Sequence, residues 1–162
     1  MDSKVIFLGT GGDIFVTGQQ LRASGGIVLQ AEGNQFHIDP GPGALVRAVE
    51  NNINLRGNTA VFATCNHINH CNDINAVINA MTYSGFDKRG VLVASNSVVN
   101  TNERYLTDFH KRCLEKIIVL KPGQRLGIED TEVHALQANH SDKDTIGLKF
   151  ITNDFVLSYS SD

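Results

Sequence analysis

Short apolar runs separated by glycine, asparagine and other turn-forming residues recur along the whole chain. Runs of this length, rich in valine, isoleucine and phenylalanine, are typical of buried strands. They predict strands at 4–9, 26–32, 35–39, 59–64, 90–94, 116–120, 131–138, 145–151 and 155–160. Apolar residues at helical spacing predict helices over 44–51 and 73–81, and the segment 103–116 is also expected to be helical. The strands come in clusters with a few helices between them.

Composition narrows the class of protein. The 162 residues are 41% hydrophobic and carry a net charge of −3, which predicts a single globular domain over 1–162 without the basic surface of a nucleic-acid binder. Three cysteines form no disulfide framework, which favours a reducing compartment. No apolar run is long enough to span a membrane. These features together predict a cytoplasmic protein with no membrane partner.

The segment TCNHINHCND, residues 64–73, concentrates the residue types that bind metals. Cys65 and His67 are two positions apart just after a predicted strand, so extended backbone would point both side chains the same way. Together with a distant histidine they would form a three-ligand zinc set with an open position. The alternative is a polar loop in which Asn69 or Asn72 caps the following helix. The spacing alone leaves both interpretations open.

Other polar residues have simpler explanations. His37 and His134 lie in predicted strands, where a solvent-facing or hydrogen-bonded side chain is expected. His110 lies in the predicted helix beside basic residues and is expected at the surface. Cys71 and Asp73 could replace lost ligands, but helix packing for Cys71 and a favourable interaction with the helix dipole for Asp73 explain them equally well.

The same segment resembles the T-H-x-H-x-D-H signature of the metallo-β-lactamase superfamily, since residues 64–70 read T-C-N-H-I-N-H. Four further segments are similar to that family in the same chain order. They are VIFLGTGG at 5–12, GGIVLQAEGNQFHIDPGPGAL at 25–45, ALQANHS at 135–141 and FVLSYSSD at 155–162. The resemblance implies a layered α/β fold, an αββα sandwich, nearest to tRNA 3′-processing nucleases and related phosphodiesterases. It also implies a structural role close to the site for Asp39.

The resemblance implies metal ligands at Cys65, His67, His70, His140 and Asp162. Cys65 stands where the family has its first histidine, and a thiolate is still a zinc ligand. Up to one zinc ion per chain is therefore expected. Family members continue into further strands and helices and a last metal-binding histidine, which has no counterpart in this sequence. Without that histidine, and with Asn69 in place of the aspartate, too few ligands are left for a second metal ion, so none is expected.

Asn69 occupies the position of the catalytic aspartate in the signature. A neutral amide binds metal poorly and cannot accept a proton from a water nucleophile, whereas a carboxylate does both. The sequence therefore predicts a metal site by descent that is damaged in its present form.

Two classes of function remain after these departures. The first is a protein derived from a metal-dependent hydrolase that is catalytically impaired and acts as a binding or complex subunit. The second is an active mono-metal zinc hydrolase of phosphodiester or ester bonds, or a shortened or inactivated form of a longer enzyme. Asn69 favours the first class, and nucleic acid as a partner is implied only by the resemblance.

The predicted helices also suggest how the chain meets a partner. An αββα sandwich has helices on both outer faces, but all predicted helices precede the strands at 131–138, 145–151 and 155–160. The second half of the sandwich is thus expected to be incomplete. Because open edges and apolar faces drive association, we expect a second copy or another polypeptide to cover residues 131–162.

Overall fold

The computed structural model describes residues 3–161, in which ten strands form two sheets. The first sheet has the order β1-β2-β3-β4-β5-β6. Its strands are β1 Lys4–Gly9, β2 Ser24–Ala31, β3 Asn34–Ile38, β4 Ala60–Ala63, β5 Val91–Ala94 and β6 Lys116–Val119. The second sheet has the order β10-β9-β8-β7. Its strands are β7 Arg125–Ile128, β8 Thr131–Gln137, β9 Ile146–Ile151 and β10 Val156–Tyr159.

The first sheet changes from antiparallel to parallel pairing along its width. β1, β2 and β3 pair antiparallel, and β2 turns into β3 through Glu32 and Gly33, whose φ values of 54° and 79° suit a tight hairpin turn. β3, β4, β5 and β6 then pair in parallel. Every residue of β4 is buried, as expected of a parallel strand covered on both faces.

Six short helices precede β6 in the chain. The predicted apolar stripe of α4 is confirmed, since Ile74, Val77, Ile78 and Met81 are all fully buried. The helices are α1 Ile14–Gly18, α2 Ala44–Glu50, α3 Ile68–Cys71, α4 Ile74–Thr82, α5 Asn96–Asn100 and α6 Asp108–Arg112, with a 3-10 turn at Leu55–Gly57.

Two apolar cores separate three layers. The buried residues of α2, α4 and α5 pack on one face of the first sheet. The other face packs against the second sheet around Phe36, Phe62 and Phe150, whose ring centroids lie 5.0 to 6.1 Å apart. Edge-to-face and tilted aromatic contacts of this kind add to the burial of apolar surface. The result is the α–β–β part of the predicted sandwich.

Several elements differ from the sequence prediction, and two of them are the short helices α3 and α5, which the pattern did not indicate. The segment 103–116 is not one helix, because Thr107 accepts a hydrogen bond from the His110 N–H and starts α6 only at Asp108. The chain then enters β6 at Lys116. The strand β7 and the helix α1 were not predicted, since each has only four or five residues and includes a glycine.

His37 is the hydrogen-bonded strand residue that the sequence predicts. It is fully buried, its Nε2 donates to the Gly25 carbonyl at 2.8 Å, and burial lowers the pKa of its ring below the ordinary value. A neutral imidazole at neutral pH follows from that direction. His134 pairs with Glu132 at 2.7 Å on the second sheet. Within residues 3–161 no helix has the length and apolar character needed to cross a membrane.

Among the described residues, no helix follows the strands of the second sheet, and its outer face is partly exposed. Lys149 and Ile151 of β9 and Val156 of β10 point to this face, because their neighbours in each strand point into the core. Val156 is 55% exposed. Within residues 3–161 β10 pairs with β9 alone, so it is an edge strand of this sheet.

We therefore propose that the second sheet takes part in an intermolecular contact. Its partner is a second copy of the chain, as in the purified protein, or another polypeptide. Light scattering at micromolar concentration should report a mass above that of a monomer. Val156→Lys should lower it, because a charge on an edge strand opposes pairing. Phe86→Lys is the matched control, since Phe86 is 94% exposed after α4, on the helical layer. A stable monomer whose β8, β9 and β10 amides resist hydrogen exchange would contradict the proposal.

Candidate functional site

The candidate site lies where the carboxyl ends of β3 and β4 meet the end of β10. β3 ends directly before Asp39, β4 ends directly before Thr64, and β10 ends at Tyr159. The loop after β8 brings His140 to the same place. Residues far apart in sequence converge because parallel strands deliver their following residues to one edge of a sheet.

The carboxylate of Asp39 is the centre of the hydrogen bonding here. It is 4% exposed, and its Oδ1 accepts from the Thr64 backbone N–H at 2.7 Å. Its Oδ2 accepts from the Thr64 hydroxyl at 2.7 Å, from His70 Nδ1 at 2.8 Å and from the Tyr159 hydroxyl at 2.8 Å. Asp39 has a φ of 50°, a conformation that aspartate tolerates better than most side chains. The structural role that the resemblance implies for Asp39 is therefore visible in its contacts.

His70 is held by that carboxylate. Its ring is almost fully buried, and the bond from Nδ1 to Asp39 fixes both the ring orientation and the nitrogen that carries a proton. A carboxylate behind a histidine is the arrangement that orients metal-binding imidazoles in proteins. His70 thus keeps the geometry of a ligand, with Nε2 as the nitrogen that could bind an ion.

His67 and His140 face each other. Their ring centroids are 4.6 Å apart at an interplanar angle of 80°. The Nδ1 atom of His67 is buried and has no hydrogen-bond partner among residues 3–161. Its Nε2 lies 3.4 Å from the Ser141 hydroxyl. A buried ring nitrogen without a partner is costly unless something else binds it.

The two cysteines of the segment differ in what they can do. Cys65 and Cys71 are both fully buried. Cys71 donates its thiol to the His67 carbonyl at 3.0 Å, and burial raises the pKa of that thiol well above its usual range. Cys71 therefore stays protonated and packs at the start of the helices, which is one of the two roles the sequence allowed.

The side chain of Asn69 donates from Nδ2 to the Gly12 carbonyl at 2.9 Å. It connects α3 to the glycine turn after β1 and does not cap a helix. The prediction that Asn69 or Asn72 is the capping residue was wrong, because His67 precedes α3 and Asp73 precedes α4. Asp73 does lie at a helix start, where a negative charge is favourable.

Asp142 is a charged group that interacts electrostatically with His67. Burial opposes its ionisation, but hydrogen bonds from the Ser97 hydroxyl and from the N–H groups of Asn66 and Asp144 hold its pKa below the ordinary value. The group is therefore a carboxylate at neutral pH.

The structure brings together only part of the predicted metal site. Within residues 3–161, no group of three or more histidine, cysteine, aspartate or glutamate side chains is arranged to hold a metal ion. His67 and His140 are in contact, and the buried Nδ1 of His67, which has no hydrogen-bond partner within residues 3–161, is the kind of atom that a bound ion would satisfy. Asp162 lies outside the described residues. The two imidazoles suit zinc, which usually takes three or four protein ligands, so zinc remains a prediction.

A cleft of about 280 Å³ opens beside His70. Its lining includes Phe7, Gly11, Gly12, Ile27, Asn69 and Tyr159. Tyr159 was not identified from the sequence, nor was Ser161, whose hydroxyl lies 2.7 Å from that of Thr64. Their place next to the predicted Asp162 was the only signal that the sequence offered.

Comparison with known proteins agrees with this geometry at the level of the fold. No model of a known protein family matches the chain. It is 34% identical over 165 residues to the uncharacterized protein MJ1374 of Methanocaldococcus jannaschii, covering all of this chain and 62% of that protein. The chain thus spans about three fifths of this relative's length.

Solved structures share the architecture at low sequence identity. The metallo-β-lactamase fold protein YhfI from Bacillus subtilis superposes with a TM-score of 0.77 at 17% identity, over 99% of this chain and 62% of its own. The short form of human tRNase Z gives 0.72 at 16% identity, over 99% and 69%. A diphosphatase from the PhnP family gives 0.63 at 18% identity, over 91% and 61%. The chain has the metallo-β-lactamase fold, as the sequence predicts.

Replacing the central carboxylate should cost more stability than replacing a surface one. Asp39→Asn removes the charge that four donors surround, and breaking a buried charged network costs about 3 kcal/mol or more. Asp87→Asn is the control, because Asp87 pairs with Arg56 at 2.6 Å on a half-exposed side chain, where about 0–1 kcal/mol is expected. Urea unfolding measures both free energies. A loss for Asp39→Asn no larger than for Asp87→Asn would contradict this assignment.

Proposed function

We propose that this chain descends from metal-dependent hydrolases, is impaired in catalysis, and acts as a binding protein or a subunit of a complex. The observation that carries the proposal is the side chain of Asn69. It stands at the position of the signature aspartate and donates its amide to the Gly12 carbonyl at 2.9 Å. The hydrolase-fold origin is supported by the likeness to the short form of human tRNase Z and to the PhnP-family diphosphatase.

The chemistry explains why this substitution matters. A hydrolytic site of this kind needs a group that accepts a proton from the attacking water, and a carboxylate does so while an amide does not. The contact with Gly12 also requires a donor, since a carbonyl oxygen can only accept. A carboxylate at position 69 would be repelled by the Gly12 carbonyl oxygen, because both groups are hydrogen-bond acceptors. The present contact therefore depends on the amide of Asn69.

The zinc prediction belongs to the same proposal. His67 and His140 would provide two imidazole ligands, and Cys65 is the candidate third ligand because it lies two positions before His67 in the same segment. Zinc at such a site supplies Lewis acidity and also stabilises the surrounding fold. The buried Nδ1 of His67 supports this part of the proposal.

An active mono-metal zinc hydrolase of phosphodiester or ester bonds is the second candidate. The cleft beside His70 and the retained Asp39–His70 pair favour it, because both are features of a working site. The cytoplasm is the proposed compartment, because three cysteines without the spacing of a disulfide framework favour a reducing environment.

One preparation tests metal binding and catalysis together. Protein purified without chelators should contain up to about one zinc ion per chain, and Cys65→Ser should reduce that content sharply. Cys113→Ser is the matched control, because Cys113 is a buried free cysteine next to α6, whose thiol donates to the Phe109 carbonyl. An absence of zinc, iron and manganese after reconstitution would remove the metal part of the proposal.

The same zinc-loaded protein should hydrolyse bis-aryl phosphodiesters at or near the background rate, because Asn69 cannot act as a base. A kcat of about 1 s⁻¹ or more, within the usual range of enzymes, would instead support the second candidate. Cys65→His combined with Asn69→Asp should raise the zinc content without being sufficient for activity.

A further inference from the structure

The loop that carries His140 is held by side chains instead of by a sheet. It runs from the end of β8 at Gln137 to the start of β9 at Ile146, outside the ladder that joins those strands. A loop of this length has many accessible conformations, and fixing one of them requires specific contacts. The contact between His140 and His67 therefore depends on what holds this loop.

Asp142 provides the main attachment. Its Oδ2 accepts from the Ser97 hydroxyl at 2.5 Å and from the Asn66 backbone N–H at 3.0 Å. Its Oδ1 accepts from the Asp144 backbone N–H at 3.0 Å, which closes the loop on itself. Both carboxylate oxygens are therefore engaged in holding the loop. Hydrogen bonds to an ionised acceptor are roughly twice as strong as neutral ones.

The two anchors outside the loop are well placed for this task. Asn66 lies between Cys65 and His67, so its N–H fixes Asp142 directly beside the histidine that His140 contacts. Ser97 belongs to α5, is 6% exposed, and lies 3.0 Å from the Ser95 hydroxyl, which limits its movement. The loop is thus attached to two segments that follow strands of the first sheet.

The other contacts of this loop are weaker or less direct. The Ser141 hydroxyl is 3.4 Å from His67 Nε2, which is long for a hydrogen bond. Asp144 accepts from the Asn96 amide at 2.9 Å, but this bond lies farther along the chain from His140. Neither of these two side-chain bonds reaches the backbone of the segment that carries His67. The Ile146 N–H does reach it, at the Thr64 carbonyl at 3.1 Å, but Ile146 lies six residues after His140.

We propose that Asp142 is the positioning residue that holds His140 against His67. This positioning role is argued from the contacts of the chain alone and does not require a metal ion. The further idea that the two histidines bind zinc rests on the proposed function. Asp142 acts through its hydrogen bonds to Asn66 and Ser97 and is not itself assigned as a ligand.

The isosteric variant Asp142→Asn should break this attachment. An amide has one oxygen acceptor and one nitrogen donor, but both positions of the present carboxylate receive donors. With the amide nitrogen in the place of Oδ2 it would face the Asn66 N–H, and in the place of Oδ1 it would face the Asp144 N–H that closes the loop. The hydrogen bonds that remain in either orientation lose the strength that an ionised acceptor gives them. Asp144→Asn is the matched control in the same loop, because the remaining amide oxygen can still accept from Asn96.

Nuclear magnetic resonance of the zinc-free protein with labelled histidines tests the proposal. The wild type and Asp144→Asn should show a nuclear Overhauser effect between the His67 and His140 rings, and Asp142→Asn should lose most of it. Ser97→Ala removes one donor and should give an intermediate signal, which keeps the test decisive if Asp142→Asn fails to fold. Backbone resonances outside 138–145 should change little. A full ring-to-ring signal in Asp142→Asn, or in Ser97→Ala if that variant alone folds, would overturn the proposal.

A zinc titration of the same proteins separates this inference from the proposed function. If the wild type binds zinc, Asp142→Asn should bind it about tenfold or more weakly, a usual effect of losing support behind a ligand. If the wild type shows the ring contact but binds no zinc, the metal part of the proposed function fails and the role of Asp142 stands. Equal zinc affinity in both proteins would count against Asp142.

Discussion

The buried carboxylate of Asp39 is the interaction on which the candidate site depends. A charge that is 4% exposed is costly unless donors surround it, and Asp39 has four, from Thr64, His70 and Tyr159. These donors come from the end of β4, from α3 and from the end of β10. One charge therefore ties the two sheets and the histidine segment together at a single point.

The two sides of the site differ in how far they match the signature and in how their histidines are held. On the Asp39 side, His70 is buried and oriented as a supported ligand would be. On the other side, His67 and His140 are in contact, with the first histidine of the signature replaced by Cys65 and the aspartate by Asn69. Where the signature that residues 64–70 resemble has an aspartate, this chain has Asn69, whose amide donates to the Gly12 carbonyl. That combination is why we favour binding over catalysis.

Local sequence pattern was sufficient for elements that are strongly apolar or strongly periodic. β4 is buried throughout, and α4 has a clean apolar stripe, so both were predicted within one residue at each end. The segment 103–116 was misassigned because a single capping interaction of Thr107 decides where α6 begins. β7 was missed because a four-residue strand containing Gly127 is defined by its pairing with β8 and not by its own composition.

The site shows the same division between local and long-range information. The segment 64–70 and His140 could be identified from residue types and chain order. The partners of Asp39 and Asn69, and the two anchors of Asp142 outside its own loop, could not, because each lies 25 or more residues away in sequence. Such contacts exist only after the sheets have formed, and nothing in the local pattern of Tyr159 or Ser97 indicates them.

The proton on His70 Nδ1 is the most direct measure of whether the Asp39 carboxylate organises this site. Long-range proton–nitrogen correlation spectra of labelled protein near neutral pH distinguish a protonated ring nitrogen from an unprotonated one. Nδ1 of His70 should carry a proton in the wild type, and its signal should change in Asp39→Asn. An unprotonated Nδ1 in the folded wild type would mean that the carboxylate does not hold the ring, and would contradict the account.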